Sequence, residues 1–146
     1  MHNPSRISIK KEEPVYFEFL LAIEKYIANT SLDPLLAELI KIRASQLNKC
    51  EYCIKMHSKA ARKLGEKDSR IHALDSWATN SEFSDKEKAS LLLTEAITLL
   101  SANGLSDEIY HTAVAQFTDQ ELAQIIIIIN QINVWNRIAV STKLYY

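Results

Sequence analysis

Two glycines and three prolines in 146 residues leave this chain little material for sharp reversals. A protein of many strands needs turn residues every few positions, so their scarcity predicts long helices joined by short links. At this length, with 47% hydrophobic residues, the chain can bury one real core. The expected organisation is therefore all-α, with a single domain over residues 14–146. Residues 1–13, ending in Lys10-Lys11-Glu12-Glu13, read as an extended N-terminal arm without chemistry of its own.

Helix signals follow in order along the domain. Pro14 suits a first helical position, and Val15, Phe19, Ala22, Ile23, Tyr26 and Ile27 form the face expected to cover the core. Asp33-Pro34 caps the next helix, whose stripe is Leu35, Leu36, Leu39, Ile40 and Ala44, with Glu38 at its edge. A cysteine-bearing helix should end at Gly65, followed by a short one over about Asp68 to Trp77. Ser84-Asp85-Lys86-Glu87 is a capping box opening a helix to about Leu100, Asn103-Gly104 is a turn, and Ser106 to Phe117 is a short helix. Thr118-Asp119-Gln120-Glu121 opens the last helix, which should run past Trp135. Its Ile125 to Ile129 run has strand propensity, yet caps on one side and Asn130, Gln131, Asn133 and Asn136 on the other fit one long helix. Isoleucine on every side of a helix suggests a subunit interface.

The candidate chemistry lies in Cys50-Glu51-Tyr52-Cys53-Ile54-Lys55-Met56-His57. Asn48 followed by Glu51 reads as an N-cap with its capping-box partner, placing both cysteines in the first turns of a helix, where the macrodipole favours a thiolate. Helix positions three apart hold Cβ atoms roughly 5–6 Å apart, and a disulfide wants about 3.5–4.5 Å. The pair can therefore join only with local adjustment, which suits a bond that cycles. His57 returns to the face of Cys53 about 6 Å along the axis. The link before the cysteines is short, so the flanking helices should form an antiparallel hairpin. Glu38 lies ten residues before Asn48 and His57 nine after it, which sets a carboxylate beside the imidazole. Thiol, imidazole and carboxylate then form one proton relay.

Glu38, Cys50, Cys53 and His57 spell E-x11-C-x2-C-x3-H, which resembles the signature of the AhpD-like alkylhydroperoxidases within the carboxymuconolactone decarboxylase family. The flanks agree: Arg43-Ala44-Ser45-Gln46-Leu47-Asn48, Gly65, and Asn133-Val134-Trp135-Asn136-Arg137 are similar to those of small AhpD-like members. The resemblance implies an AhpD-like helical fold with a central antiparallel hairpin carrying the C-x-x-C, and homo-oligomers, trimeric or hexameric. It also implies peroxide reduction without a cofactor or metal, in which Cys53 attacks a small hydroperoxide and Cys50 resolves it. Glu38 and His57 match the relay positions, and an external dithiol of unknown identity resets the pair. Tyr52 stands where AhpD enzymes carry a histidine; its phenol donates a hydrogen bond but is a poor base near neutral pH.

Rival readings use the same residues. The pair could serve a general thiol–disulfide oxidoreductase, or a non-catalytic oligomeric protein that binds a partner or senses oxidation. A decarboxylase-type lactone site is disfavoured because decarboxylase relatives generally lack the C-x-x-C. Cys50, Cys53, His57 and Glu38 could supply four zinc ligands, but there is no second cysteine pair and thiols three apart on a helix suit a structural zinc poorly. His2, His72 and His111 have no thiol at helical spacing and are read as surface or satisfied side chains. A net charge of -1 from 17 basic and 18 acidic residues gives no footprint for nucleic acid or an anionic membrane. The Ile125 to Ile129 run is far shorter than the roughly 20 residues that span a bilayer. With no signal-type N-terminus and two cysteines too close for a secreted scaffold, a cytoplasmic location is expected.

Overall fold

The computed structural model describes residues 6–144 and is helical throughout them, without strands. The helices are α1 (Ile9–Glu12), α2 (Pro14–Ala28), α3 (Pro34–Leu47), α4 (Glu51–Lys63), α5 (Asp68–His72), α6 (Asp85–Thr98), α7 (Leu100–Asn103), α8 (Asp107–Val114) and α9 (Asp119–Thr142), with a 3₁₀ segment at Ala73–Thr79. The arm is thus not wholly extended, since residues 9–12 form a turn of helix capped by Ser8. Residues 1–5, His2 among them, lie outside the described residues.

The expected start and stop signals act locally. Asp33 accepts from the Leu35 N–H at 3.1 Å. Both capping boxes close reciprocally: the Glu87 N–H donates to Ser84 and the Ser84 N–H to Glu87, and Thr118 and Glu121 repeat the pattern. Gly65 takes the positive φ of +95° just beyond α4, a conformation glycine adopts without the Cβ clash of other residues. The Asp68 to Trp77 stretch divides into α5 and the 3₁₀ segment, whose helical geometry breaks at Ser76.

Helix α3 is the centre of the molecule. One side, Leu36, Ala37 and Ile40, packs with Ala89 and Leu93 of α6 and with Leu122, Ile125, Ile128 and Ile129 of α9. The other, Leu39 and Ile42, meets Ala61 of α4, Leu74 and Trp77 of the 3₁₀ segment, and Leu91 of α6. A helix apolar on two sides has to be enclosed, and α3 is. The isoleucine run is helical as expected. Ile126 and Ile127 are partly buried and pack on the same cluster as their three buried neighbours.

Two expectations are corrected. Of the face proposed for α2, only Ile27 is buried, while Val15, Phe19, Ile23 and Tyr26 are exposed. The helix is turned so that Phe17 meets Trp135 edge-on at 5.7 Å and Glu24 accepts from the Trp135 indole N–H at 2.7 Å. Apolar residues lie on nearly every side of α2, so periodicity cannot single out the buried side. Asn48, expected to cap α4, instead ends α3. Lys49 adopts a positive φ of 54°, and Cys50 is the residue that caps α4, its sulfur accepting from the Cys53 N–H at 3.4 Å.

Candidate active site

The asparagine that does not cap α4 locates the cysteines by another route. Its side-chain amide donates to Asn133 and to Asn136 of α9, each at 2.9 Å. Asn136 donates to the Ser45 hydroxyl at 2.9 Å, and Asn133 to the Thr98 hydroxyl at 3.1 Å and to the Ile129 carbonyl at 2.8 Å. The residues between α3 and α4 are thereby pinned to the middle of α9 by buried, satisfied polar groups, which fix direction as well as distance. Sequence reasoning assigned Asn133 and Asn136 no role at the site; the structure bonds them to Asn48, Ser45 and Thr98 of the same chain. Their signal was the cluster Asn130, Gln131, Asn133 and Asn136 directly after the isoleucine run, a pattern that demands partners without naming them.

Cys50 and Cys53 are joined by a disulfide, with Cα atoms 5.3 Å apart. The adjustment that joins them is visible in the backbone: Cys50 is at the cap, with φ −91° and ψ 87°, and so is not on the helix proper. Both residues are buried, and they pack against Ala139 of α9 with Tyr52 at their edge. Because the reduced Cys50 and Cys53 would both lie in the N-terminal turn of α4, the unsatisfied N–H groups there favour a thiolate on either.

The hairpin brings Glu38 to His57 as its symmetry predicts. The His57 Nδ1–H donates to Glu38 Oε2 at 2.8 Å, and the Lys41 ammonium donates to Glu38 Oε1 at 3.3 Å. Lys41 was not among the residues expected here, although its position one turn after Glu38 is the signal that could have found it. Burial pushes the Glu38 carboxyl up, but the His57 hydrogen bond and the charges of Lys41 and His57 more than reverse this, and it lies below the usual carboxylate value. The Glu38 carboxylate takes up Nδ1 of His57, which leaves Nε2 as the ring nitrogen not engaged by it.

A cavity of about 760 Å³ opens beside this group, walled mainly by apolar side chains of α2, α4 and α9. Cys53, Tyr52, His57 and Lys41 all line it, and among the described residues Cys50 does not. Of the two cysteines, Cys53 is thus the one that borders the cavity. No cluster of three His, Cys, Asp or Glu suited to a metal ion occurs among the described residues, and no helix among them is long and apolar enough to cross a membrane.

Comparison with known proteins agrees with this architecture. Residues 14–96 match the carboxymuconolactone decarboxylase family. The uncharacterized protein YdfG of Bacillus subtilis (strain 168) is 40% identical over 136 residues, 93% of this chain and 92% of its own. Atu0492 from Agrobacterium tumefaciens, a protein of unknown function described as a candidate AhpD antioxidant defence protein, superposes with a TM-score of 0.93 at 33% identity, covering 97% of both chains. The debrominase Bmp8 shares the fold at a TM-score of 0.78 and 18% identity, over 92% of this chain and 73% of its own. With a matching family segment, a matching fold and the C-x-x-C pair in a disulfide, the chain is an AhpD-like member of the carboxymuconolactone decarboxylase family.

Proposed function

We propose that this protein is a thiol peroxidase that reduces small hydroperoxides through a Cys50/Cys53 dithiol–disulfide cycle. The observation that carries the reading is the disulfide whose one member, Cys53, faces a cavity that His57 also lines, with Glu38 bonded to the back of that imidazole. In the reduced enzyme the Cys53 thiolate attacks the O–O bond of ROOH. An S–O bond forms, the O–O bond breaks, and the alkoxide leaves as ROH after taking a proton supplied through His57. The Cys50 thiolate then attacks the Cys53 sulfenic acid; the S–S bond forms, the S–O bond breaks, and the hydroxide takes the proton given up by the Cys50 thiol and leaves as water. An external dithiol reduces the disulfide by exchange and is itself oxidised.

Access supports these roles, since the attacking sulfur must meet the substrate and the resolving sulfur need only meet its neighbour. The exposed Val15, Phe19 and Tyr26 face of α2 supports the expected homo-oligomer.

The test is thiol loss followed by mass spectrometry as hydrogen peroxide or cumene hydroperoxide is added to reduced protein. Rapid formation of the Cys50–Cys53 disulfide is expected, with sulfenic acid trapped on Cys53 in Cys50→Ser and no rapid oxidation in Cys53→Ser. Thiols that oxidise no faster than free cysteine would defeat the peroxidase reading.

A further inference from the structure

The chamber beside the cysteines is larger than a hydroperoxide group requires. Its 760 Å³ falls within the range of about 300–1,000 Å³ typical of sites for whole small molecules. One long wall is a single face of α9, on which Ile128, Gln131, Ile132, Trp135, Ala139 and Thr142 recur at helical spacing. At 1.5 Å per residue this wall is about 21 Å long. Ala139 packs on the cysteines, so Gln131, eight residues earlier, lies about 12 Å along the chamber from them.

Gln131 is the anomaly in that wall. It is only 6% exposed, and among the described residues its Nε2 is a buried donor with no hydrogen-bond partner. Such a group is unfavourable in an apolar wall that leucine or methionine would fill equally well. Other polar side chains of the chamber are engaged: His57 and Lys41 on Glu38, Glu24 on Trp135, and Arg6 on the Ser141 carbonyl. Lys10, which lies over the Phe17 ring, and Lys143 also line the chamber, but the wall that runs along α9 is apolar apart from Gln131 and the hydroxyl of Thr142, which is held by the Ile138 carbonyl.

We infer that the chamber binds a molecule whose apolar body lies along α9 and whose carbonyl-type oxygen accepts a hydrogen bond from Gln131, about 12 Å from Cys53. The terminal torsion of glutamine is soft, so the amide can turn its nitrogen to the chamber without disturbing the helix. If Cys53 is the peroxidatic residue, the substrate is an organic hydroperoxide with a second oxygen function in its chain; that identification rests on the peroxidase reading, whereas the binding does not.

The test is calorimetric titration of the disulfide form with 4-phenylbutan-2-one and n-butylbenzene, which share a skeleton and differ by the carbonyl. Replacing the glutamine, Gln131→Met keeps its length and removes the amide. The ketone should bind roughly tenfold more weakly to this variant, as loss of one hydrogen bond implies, while the hydrocarbon is little affected. Leu21→Trp, which narrows the chamber from α2, should weaken both probes. Equal responses of ketone and hydrocarbon to Gln131→Met, no binding of either to the unaltered protein, or indifference of both to Leu21→Trp would each overturn the inference. Since no peroxide is present and the cysteines are already joined, a failed peroxidase assay leaves this result standing, and a failed titration leaves the peroxidase reading standing.

Discussion

The two halves of α9 are equally buried and chemically opposite. Its first half, Ile125 to Ile129, packs on α3 and α6 through side chains that make no directional contact. In its second half Asn133 and Asn136 are 6% and 1% exposed, and every hydrogen bond they make has a defined direction. Apolar burial fixes how much stability a helix adds, and it tolerates small shifts of position. A closed polar network adds less net stability but sets where its partners lie, because a misplaced buried amide loses its bond and keeps its desolvation cost. One helix thus holds the molecule together at one end and locates the cysteines at the other.

Substitutions in the two halves should separate these contributions. The largest loss of stability is expected from Ile129→Ala, which empties a fully buried site and should cost about 2–5 kcal/mol in urea denaturation. The folded fraction should still form the disulfide at its normal rate; a slowed rate would mean that the apolar half also places the thiols. Asn136→Leu should cost less, about 1–3 kcal/mol, by removing two buried hydrogen bonds, one accepted by the Ser45 hydroxyl and one donated by the Asn48 amide, each of which keeps one other partner. Its rate of peroxide-driven disulfide formation should nevertheless fall by about tenfold to a hundredfold, since small misplacement of reacting groups is costly. Stopped-flow oxidation that matched the unaltered protein would break the comparison.

The smallest effect concerns pH. The carboxyl of Glu38 lies lower in the folded protein than its unfolded value of about 4.3. Its contribution is therefore fully present above that unfolded value and is lost as pH falls through the folded one. Glu38→Gln should flatten the acid limb of the stability curve and leave the neutral region's slope unchanged, as measured by denaturant titrations from pH 7 downward. An acid limb of unchanged steepness would show that the His57 and Lys41 contacts do not hold this carboxyl down.

Much of this was legible in the residues. The caps at Asp33, Ser84 and Thr118, the stop at Gly65 and the helical state of the isoleucine run all depend on neighbours within one or two turns. Even the meeting of Glu38 and His57 follows from counting outward from a short link, because an antiparallel hairpin has only one free variable, the position of its turn. Illegible were features in which a side chain chooses between two adequate partners. Asn48 has a local use as a cap and a tertiary use against α9, and a donor that reaches two buried carbonyl oxygens gains more than one that caps an accessible helix end. Helix α2 offers apolar residues on most sides, and only the position of Trp135 and Glu24 selects the side that is buried.

The sequence by itself determined the all-helical class, the helix ends and the spacing of thiols, imidazole and carboxylate, because each is set by short-range geometry that repeats with the helical period. Tertiary structure alone decided that Cys50 is the cap, that Cys53 borders the chamber, that Lys41 joins Glu38 and that Nε2 of Gln131 has no partner among the described residues. These depend on the relative placement of α3, α4 and α9, elements whose contacts join residues as far as 91 positions apart. No local period encodes such distances; they arise when several helices compete to bury their surfaces around α3.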